Sequence, residues 1–279
     1  MMKSVLIAGC GYLGNRIGQR LGSQKFDVHT ITRSGARESM AWNNYRLNLF
    51  KKGSLSVLPR KVDVLIYTVS PSGPTTQAYR DCYEKGLENL ANYYANSEPG
   101  VVLLATSTRV YAENSGGWVD EDNAEMNQAD EKAAFLLAAE QGNYFKGMVS
   151  MRLSGIYGKG RTRFLQSVQK HTARKNTGAA DYSNRIHVED AARAAMFLIE
   201  NEQRPPAINI TDDRPEDRSV VIQWLADQMQ LENHFETYKL DQPKGKRVSN
   251  SMLKKMGFSL RFPTYQEGYL PMMKSGSYE

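Results

Sequence analysis

The sequence of 279 residues predicts an α/β protein built on a doubly wound parallel sheet. Three observations carry this. Short apolar runs alternate with longer stretches of helical period. The runs are apolar at consecutive positions, as in strands covered on both faces. The first run leads straight into glycines spaced G-x-G-x-x-G, where a strand turns into a helix.

The first run is Val5–Ala8, and Gly9, Gly11 and Gly14 follow it. The first glycine permits a tight turn, the second lets a pyrophosphate approach the backbone, and the third lets the helix sit close to the strand. Leu13, Ile17 and Leu21 mark the helix, with Gly14 and Gly18 beside them and Gly22 as its stop. A free N–H cluster and the positive end of the helix dipole suit an anion here. Gly9, Gly11, Tyr12, Leu13 and Gly14 are thus candidate contacts to a dinucleotide. Phe26–Thr32 reads as the second strand. An acid at its end would accept from a ribose 2′-OH, whereas this chain has Thr32-Arg33-Ser34. Arg33 and Ser34 suit the extra phosphate of NADP, Arg16 could join them, and NAD remains the alternative.

Leu47-Asn48-Leu49 is expected to end a third strand, with Asn48 and Leu49 near an adenine. Val62–Val69 reads as a buried strand stopped by Ser70-Pro71-Ser72-Gly73-Pro74, which places Val69 at the ligand crevice. A helix over Tyr79–Ala95, a strand over Val101–Ala105, a helix from Asp130 to Glu140 and a strand over Val149–Leu153 continue the alternation. Ile186–Val188 is short, and Asp190 is expected to cap a helix over Ala191–Ile199. Pro205-Pro206 breaks the chain before a strand over Ala207–Thr211 and a helix over Val220–Met229. The tail ends in Gly257-Phe258 and a loop with Pro263.

Composition excludes several classes. No apolar run approaches the ~20 residues that span a bilayer. Ile7-Ala8-Gly9-Cys10 has the look of a lipoprotein cleavage site, but Val5–Ala8 is far shorter than the ~7–15 residues of a signal h-region. Cys10 and Cys82 give no disulfide framework and read as reduced, buried thiols, so the cytoplasm is the expected location. A net charge of +6 favours anionic small ligands slightly and does not make a nucleic-acid binder. No internal repeat or low-complexity tract is present. The histidines and cysteines lack metal-ligand spacing, so no metal is expected.

Further along, the strand from Val101 runs into Thr106-Ser107-Thr108-Arg109-Val110-Tyr111. Gly117-Trp118-Val119-Asp120-Glu121, Ala138-Ala139-Glu140, Arg152-Leu153-Ser154-Gly155-Ile156-Tyr157-Gly158, Arg185-Ile186-His187-Val188-Glu189-Asp190-Ala191 and Lys246-Arg247-Val248-Ser249-Asn250 follow in order. Together with Gly9–Gly14 these resemble the extended short-chain dehydrogenase/reductases, the NAD-dependent epimerase/dehydratase family, and within it most the atypical YeeZ-like bacterial group. The likeness covers nearly the whole chain. It implies a Rossmann-like domain, a smaller C-terminal α/β substrate lobe, and a nicotinamide over the crevice. Residues 1–157, with a return segment 184–202, are expected to form the first domain, and 158–183 with 203–279 the substrate lobe. Active members use a Ser or Thr, a Tyr and a Lys for acid–base chemistry coupled to hydride transfer.

Ser107 fits the serine position, but no Tyr in this chain has Lys four places later. Matching on Glu140 puts Lys132 where the tyrosine belongs and Leu136 where the lysine belongs, so the usual proton machinery is missing. Lys132, Tyr111 or Tyr157 could replace it. Against them stand a solvated helix lysine and two wall tyrosines tied to backbone. His187 reads as structural. From Gly158 to Ala180 stand Lys159, Arg161, Arg163, Lys170, Arg174 and Lys175 with no acid, and Lys244, Lys246 and Arg247 form a second group. Both suit a nucleotide-sugar-like or other anionic substrate, and equally a solvated basic surface. Two functions fit: an NADP-dependent oxidoreductase or epimerase, monomeric or homodimeric, acting on a small polar or anionic substrate; or a catalytically silent NADP(H) sensor.

Overall fold

The structure, a computed structural model, describes residues 2–23, 26–33, 42–51 and 53–274. Ser34, an expected cofactor contact, lies outside the described residues. In chain order, β1 (Ser4–Ala8) leads into α1 (Tyr12–Ser23), followed by β2 (Asp27–Thr32), β3 (Asn43–Arg46) and β4 (Val64–Tyr67). α2 (Thr76–Arg80) and α3 (Gly86–Tyr94) are joined by a π-turn over Asp81–Lys85. Then come β5 (Val101–Ser107), β6 (Ser115–Val119), α4 (Glu131–Gln141), β7 (Val149–Leu153), β8 (Gly155–Tyr157) and α5 (Arg163–Gln169). β9 (Lys175–Gly178), β10 (Tyr182–Ser183), β11 (Arg185–His187), α6 (Val188–Glu200), β12 (Ala207–Ile210), β13 (Glu216–Asp217) and α7 (Arg218–Gln228) follow. The chain closes with β14 (Thr237–Leu240), β15 (Gly245–Val248), α8 (Ser251–Lys255) and α9 (Tyr265–Lys274).

Seven strands form one sheet in the order β12-β7-β5-β4-β1-β2-β3. β1 pairs in parallel with β2 and β4, β2 with β3, and β4 with β5. The fold is thus the Rossmann-like α/β class expected. Val5, Leu6, Ile7 and Ala8 of β1 and Leu65, Ile66 and Tyr67 of β4 are wholly buried. This explains the unbroken apolar runs: both faces of these strands are covered, and each large side chain contributes about 1.5–3 kcal/mol by burial. α1 buries Leu13, Ile17 and Leu21 in the same core. The strand order reverses between β1 and β4, which opens a crevice beyond their carboxyl ends.

The chain folds into two compact units. One comprises Met1–Val110, Met126–Arg152 and Ala192–Ile208; the other comprises Tyr111–Glu125, Leu153–Ala191 and Asn209–Glu279. They interleave more than the expected division. Residues 111–125 join the second unit because β6 pairs in parallel with β15. That unit packs Leu165 and Val168 of α5, Val221, Ile222 and Leu225 of α7, and Tyr265, Tyr269 and Met272 of α9 into its own core.

Several local expectations need correction. Leu47–Leu49 does not end a strand: β3 stops at Arg46, and the Asn48 side chain turns back to accept from the Phe50 N–H (3.0 Å). β4 is shorter than Val62–Val69, since Asp63 already exchanges bonds with Ser4 at the edge of the ladder. The helix after it starts at Thr76, capped by Thr75, whose hydroxyl accepts from the Ala78 N–H (3.2 Å). Asp190 is not a helix cap. It sits inside the first turn of α6, fully buried, and its carboxylate accepts from the N–H groups of Arg261 (2.9 Å) and Phe262 (2.7 Å).

Candidate functional site

The crevice of the first unit is built by three glycines doing three different things. Gly9 has φ +85°, and a Cβ there would stand 2.5 Å from the Val69 nitrogen. Its N–H and that of Cys10 both donate to the Ile31 carbonyl, 3.1 and 3.0 Å. A Cβ on Gly14 would stand 2.7 Å from both the Gly9 carbonyl oxygen and the Thr68 hydroxyl. Gly14 therefore lets α1 close onto the ends of β1 and β4, where the Thr68 hydroxyl donates to the Gly9 carbonyl (2.9 Å). Gly11 differs. A Cβ there would meet nothing nearer than the Gly9 oxygen at 3.9 Å. Bare backbone faces open space directly before the first turn of α1, the end at which a helix presents its amides to an anion.

That space is a cleft of about 190 Å³. Gly9, Gly11, Arg33, Asn48, Leu49 and Val69 line it, as do Cys10, Thr32 and Ser70, which were not expected as cofactor contacts. Tyr12 and Leu13 open α1 beside it, Leu13 with its side chain in the core. Arg33 is exposed at the end of β2. Arg16 is not part of the lining and donates to Gln19 (3.2 Å). Burial pushes the Cys10 thiol up to about 11 and the Cys82 thiol up to about 12, so neither is a thiolate at neutral pH.

Ser107 is the last residue of β5 and is half-buried. Its Oγ accepts from the Arg109 N–H (3.2 Å), which leaves its own proton to donate. Asp130 ties this turn to α4. One carboxylate oxygen accepts from the Lys132 and Ala133 N–H groups (2.8 and 3.1 Å), capping the helix, and the other accepts from the Arg109 guanidinium (2.6 Å). The Arg109 bond holds the Asp130 carboxyl below the usual carboxylate range. Lys132 stands half-exposed in the first turn of α4, and Leu136 is 1% exposed in the core.

Beneath Ser107 lies a network the sequence did not reveal. The Thr106 hydroxyl donates to Glu140 Oε1 (2.7 Å), and Arg152 donates to Glu140 Oε2 through Nη2 (2.7 Å) and Nε (3.0 Å). The ion-pair side chains are 8% and 5% exposed. Such a pair is tolerated only because its remaining valences are hydrogen-bonded, and it fixes the carboxyl end of β5. The signals were present, as Glu140 and Arg152 fell within quoted motifs, but neither motif pointed to the other.

Tyr111 is corrected here as a proton donor. It is 0% exposed in the second unit and its hydroxyl donates to Asn209 (2.7 Å), so substrate cannot reach it. Tyr157 belongs to the second unit, where it lines a cavity of about 460 Å³ with Arg161, Arg163, Arg185 and Arg218. Of the basic residues in the Gly158–Ala180 stretch, only Arg161 and Arg163 line this cavity. Lys175 is held by Gln223 and Asn233, and Arg174 lines a second hollow of about 380 Å³. Lys246 donates to the Tyr111 carbonyl, and Arg247 stacks on Trp118 and Tyr182. Among the described residues no group of His, Cys, Asp and Glu could hold a metal, and no helix is long and apolar enough to cross a membrane.

Comparison with known proteins adds the following. The family model described as "NAD dependent epimerase/dehydratase family" matches residues 5–211. No curated protein matches the chain by sequence. Among solved structures, a Methylobacillus flagellatus protein provisionally named an NAD-dependent epimerase/dehydratase is 26% identical, with TM-score 0.85 and 99% of each chain covered. A functionally unknown conserved protein from Silicibacter pomeroyi is 22% identical, with TM-score 0.73 and full coverage of both chains. The UDP-glucuronic acid 4-epimerase of Bacillus cereus, solved with NAD, is 17% identical with TM-score 0.80, covering 99% of this chain and 100% of its own.

Proposed function

The chain belongs to the NAD-dependent epimerase/dehydratase family, and from that premise we propose that it is a nicotinamide-dinucleotide-dependent oxidoreductase or epimerase acting on a small polar or anionic substrate. The observation that carries this is Gly11: bare backbone at the mouth of a cleft, between two glycines whose Cβ positions are blocked. The residues fit a diphosphate. The first-turn amides of α1 face it, Gly11 lets it approach, and the adenosine half has the Thr32–Arg33 and Asn48–Leu49 edges to rest against. Arg33, with no acid in its place, favours NADP over NAD. When bound, the nicotinamide supplies hydride exchange with the substrate.

Within the chain, Ser107 Oγ donates its free proton to a substrate oxygen while Arg109 and Asp130 hold its orientation. The Thr106–Glu140–Arg152 network keeps the strand end rigid, so that this donor is preorganised. Lys132, in the first turn of α4 with Leu136 buried one turn on, takes the tyrosine's place as the group that carries the proton. The substrate class is read from the arginine-lined cavity of the second unit, in keeping with a structural neighbour that is a UDP-sugar epimerase. A screen of nucleotide sugars and phosphorylated carbonyl compounds with NADPH tests the reading: it expects turnover with at least one, abolished or slowed by Ser107→Ala with NADPH affinity unchanged. Tight NADPH binding with no turnover across the screen would overturn it.

One observation favours a second reading. Leu136, in place of the lysine that would hold the nicotinamide ribose, is fully packed. A protein that keeps the cleft and loses the proton relay suits an NADP(H) sensor. It requires a partner whose affinity changes with NADPH, and equal binding with and without NADPH removes it.

A further inference from the structure

The cleft lining accounts for only half of a dinucleotide. Thr32–Arg33 and Asn48–Leu49 lie on the β2–β3 side of β1, and the lining ends at Val69 and Ser70 on the other side. An adenosine resting on the first side sends the nicotinamide half to the second, over the carboxyl ends of β4 and β5. A ribose there brings hydroxyls that need partners once they leave water. α4 offers none beyond Lys132. From Ala133 to Ala139 every side chain is apolar, and Glu140 is taken by Thr106 and Arg152.

α2 supplies what α4 lacks. It begins just past the turn after β4 and is bonded to the crevice wall, where Cys82 Sγ donates to the Val69 carbonyl (3.4 Å). The Tyr67 hydroxyl, at the end of β4, donates to the Cys82 carbonyl (2.5 Å) within the π-turn over Asp81–Lys85. Such turns recur at functional sites. The neighbouring face of α2 meets α4. Thr76 Oγ1 donates to Glu131 Oε2 (2.8 Å), and the Arg80 guanidinium stands 5.6 Å from the Phe135 ring. Tyr79, three residues after Thr76 and one before Arg80, shares that face.

Tyr79 is half-buried, with its ring 6.0 Å from that of Tyr83. Its hydroxyl has no hydrogen-bond partner among the described residues. Arg109 is held above the usual guanidinium range by its bond to Asp130 first and, more weakly, by Tyr79 nearby. Arg109 is also the residue whose N–H bonds Ser107 Oγ. An unused phenol, able both to donate and to accept, thus stands beside the Ser107 turn and the first turn of α4. All of these residues belong to the first unit.

We propose that Tyr79 binds the nicotinamide ribose, its hydroxyl bonded to a ribose hydroxyl, while Ser107 and Lys132 serve the substrate. This rests on the dinucleotide reading above and deepens it, naming a contact to the half of the cofactor that the cleft lining leaves uncovered.

Isothermal titration calorimetry on the full chain tests it with two titrants, NADPH and adenosine 2′,5′-bisphosphate, which lacks the nicotinamide ribose. Tyr79→Phe removes only the hydroxyl, which no protein group needs, so the ligand-free Tm stays unchanged. The variant binds NADPH about tenfold more weakly, about 1.4 kcal/mol, and binds the bisphosphate within twofold of the unmodified protein. Should Tyr79→Phe not fold, Tyr79→Leu decides in its place by the same two titrations. Unchanged NADPH affinity overturns the proposal. An equal loss for both titrants overturns it too, because it assigns Tyr79 a role in holding the fold. An unmodified protein that binds neither titrant overturns the dinucleotide reading and this proposal together, whereas tight NADPH binding that the variant retains overturns this proposal alone.

Discussion

Replacing Gly11 by valine separates the cofactor role of the opening turn from its structural role. A Cβ at Gly11 has 3.9 Å to its nearest neighbour and no positive φ to strain it, so the variant folds with a stability change within about 0.5 kcal/mol. The same substitution at Gly14 drives a Cβ to 2.7 Å from a backbone oxygen and a hydroxyl, an overpacking that costs about 1–3 kcal/mol. Binding reverses the ranking. The valine at Gly11 occupies the approach of a diphosphate, and a hundredfold loss of NADPH affinity is about 2.7 kcal/mol. Thermal unfolding with and without NADPH reads both quantities at once. At 100 times its dissociation constant NADPH adds about 2.7 kcal/mol to the unmodified protein, a rise of about 5 °C at this chain length. Gly11→Val keeps the ligand-free Tm and loses that rise, whereas Gly14→Val lowers the ligand-free Tm. A Gly11→Val protein that melts early, or that keeps the full rise, would refute the reasoning.

Three further outcomes are expected. Arg33→Glu cuts the preference for NADPH over NADH by tenfold or more, about 1.4 kcal/mol, in paired fluorescence titrations; an unchanged ratio removes Arg33 as the discriminator. Arg152→Met leaves Glu140 buried without its counter-charge and lowers stability by about 3–5 kcal/mol in urea unfolding, with a much smaller loss in the double variant Arg152→Met, Glu140→Gln. Asp212 sets a pH dependence. Its folded pKa of about 8 lies above the unfolded value near 3.8, so the folded state holds more protons between those values. Its contribution therefore falls as pH rises from about 4 to about 8, by an upper bound of about 6 kcal/mol. Asp212→Asn should flatten the stability–pH profile over that range, and a parallel profile would contradict the assignment.

What the sequence makes legible is what lies close along the chain. β1, its glycines and α1 are consecutive, so apolar run, turn chemistry and helical period all speak about the same dozen residues. The close approaches at Gly9 and Gly14 could be read before any geometry was known, with Gly11 as the open position between them. Arg33 was legible for the same reason, as it directly follows a readable strand. Errors concentrate where partners are distant. β6 is a short segment with three polar or glycine residues out of five, and it becomes a strand only because β15 lies beside it. Asp190 carries the composition of a helix cap, yet a tail more than seventy residues later claims its carboxylate. The basic stretch after Gly158 reads as one cluster, but strand and helix geometry scatter it: two arginines face the cavity, and Lys175 turns to Gln223. Arg185 and Arg218 complete the cavity from β11 and the start of α7. Arg185 stands outside any charge run and Arg218 closes a mixed-sign one, Asp212 to Arg218, so pattern alone could not gather them. The same holds for Thr106, Glu140 and Arg152, three residues on three elements whose relation appears only when the sheet is assembled.

The most direct test of the central claim is a crystal of this protein grown with NADPH. The account predicts density for the dinucleotide in the first unit, its diphosphate within hydrogen-bond distance of the opening amides of α1 and against the α-carbon of Gly11, and its 2′-phosphate beside Arg33. A dinucleotide bound elsewhere, or a protein that at saturating NADPH shows none in the cleft between β1 and β4, would contradict it.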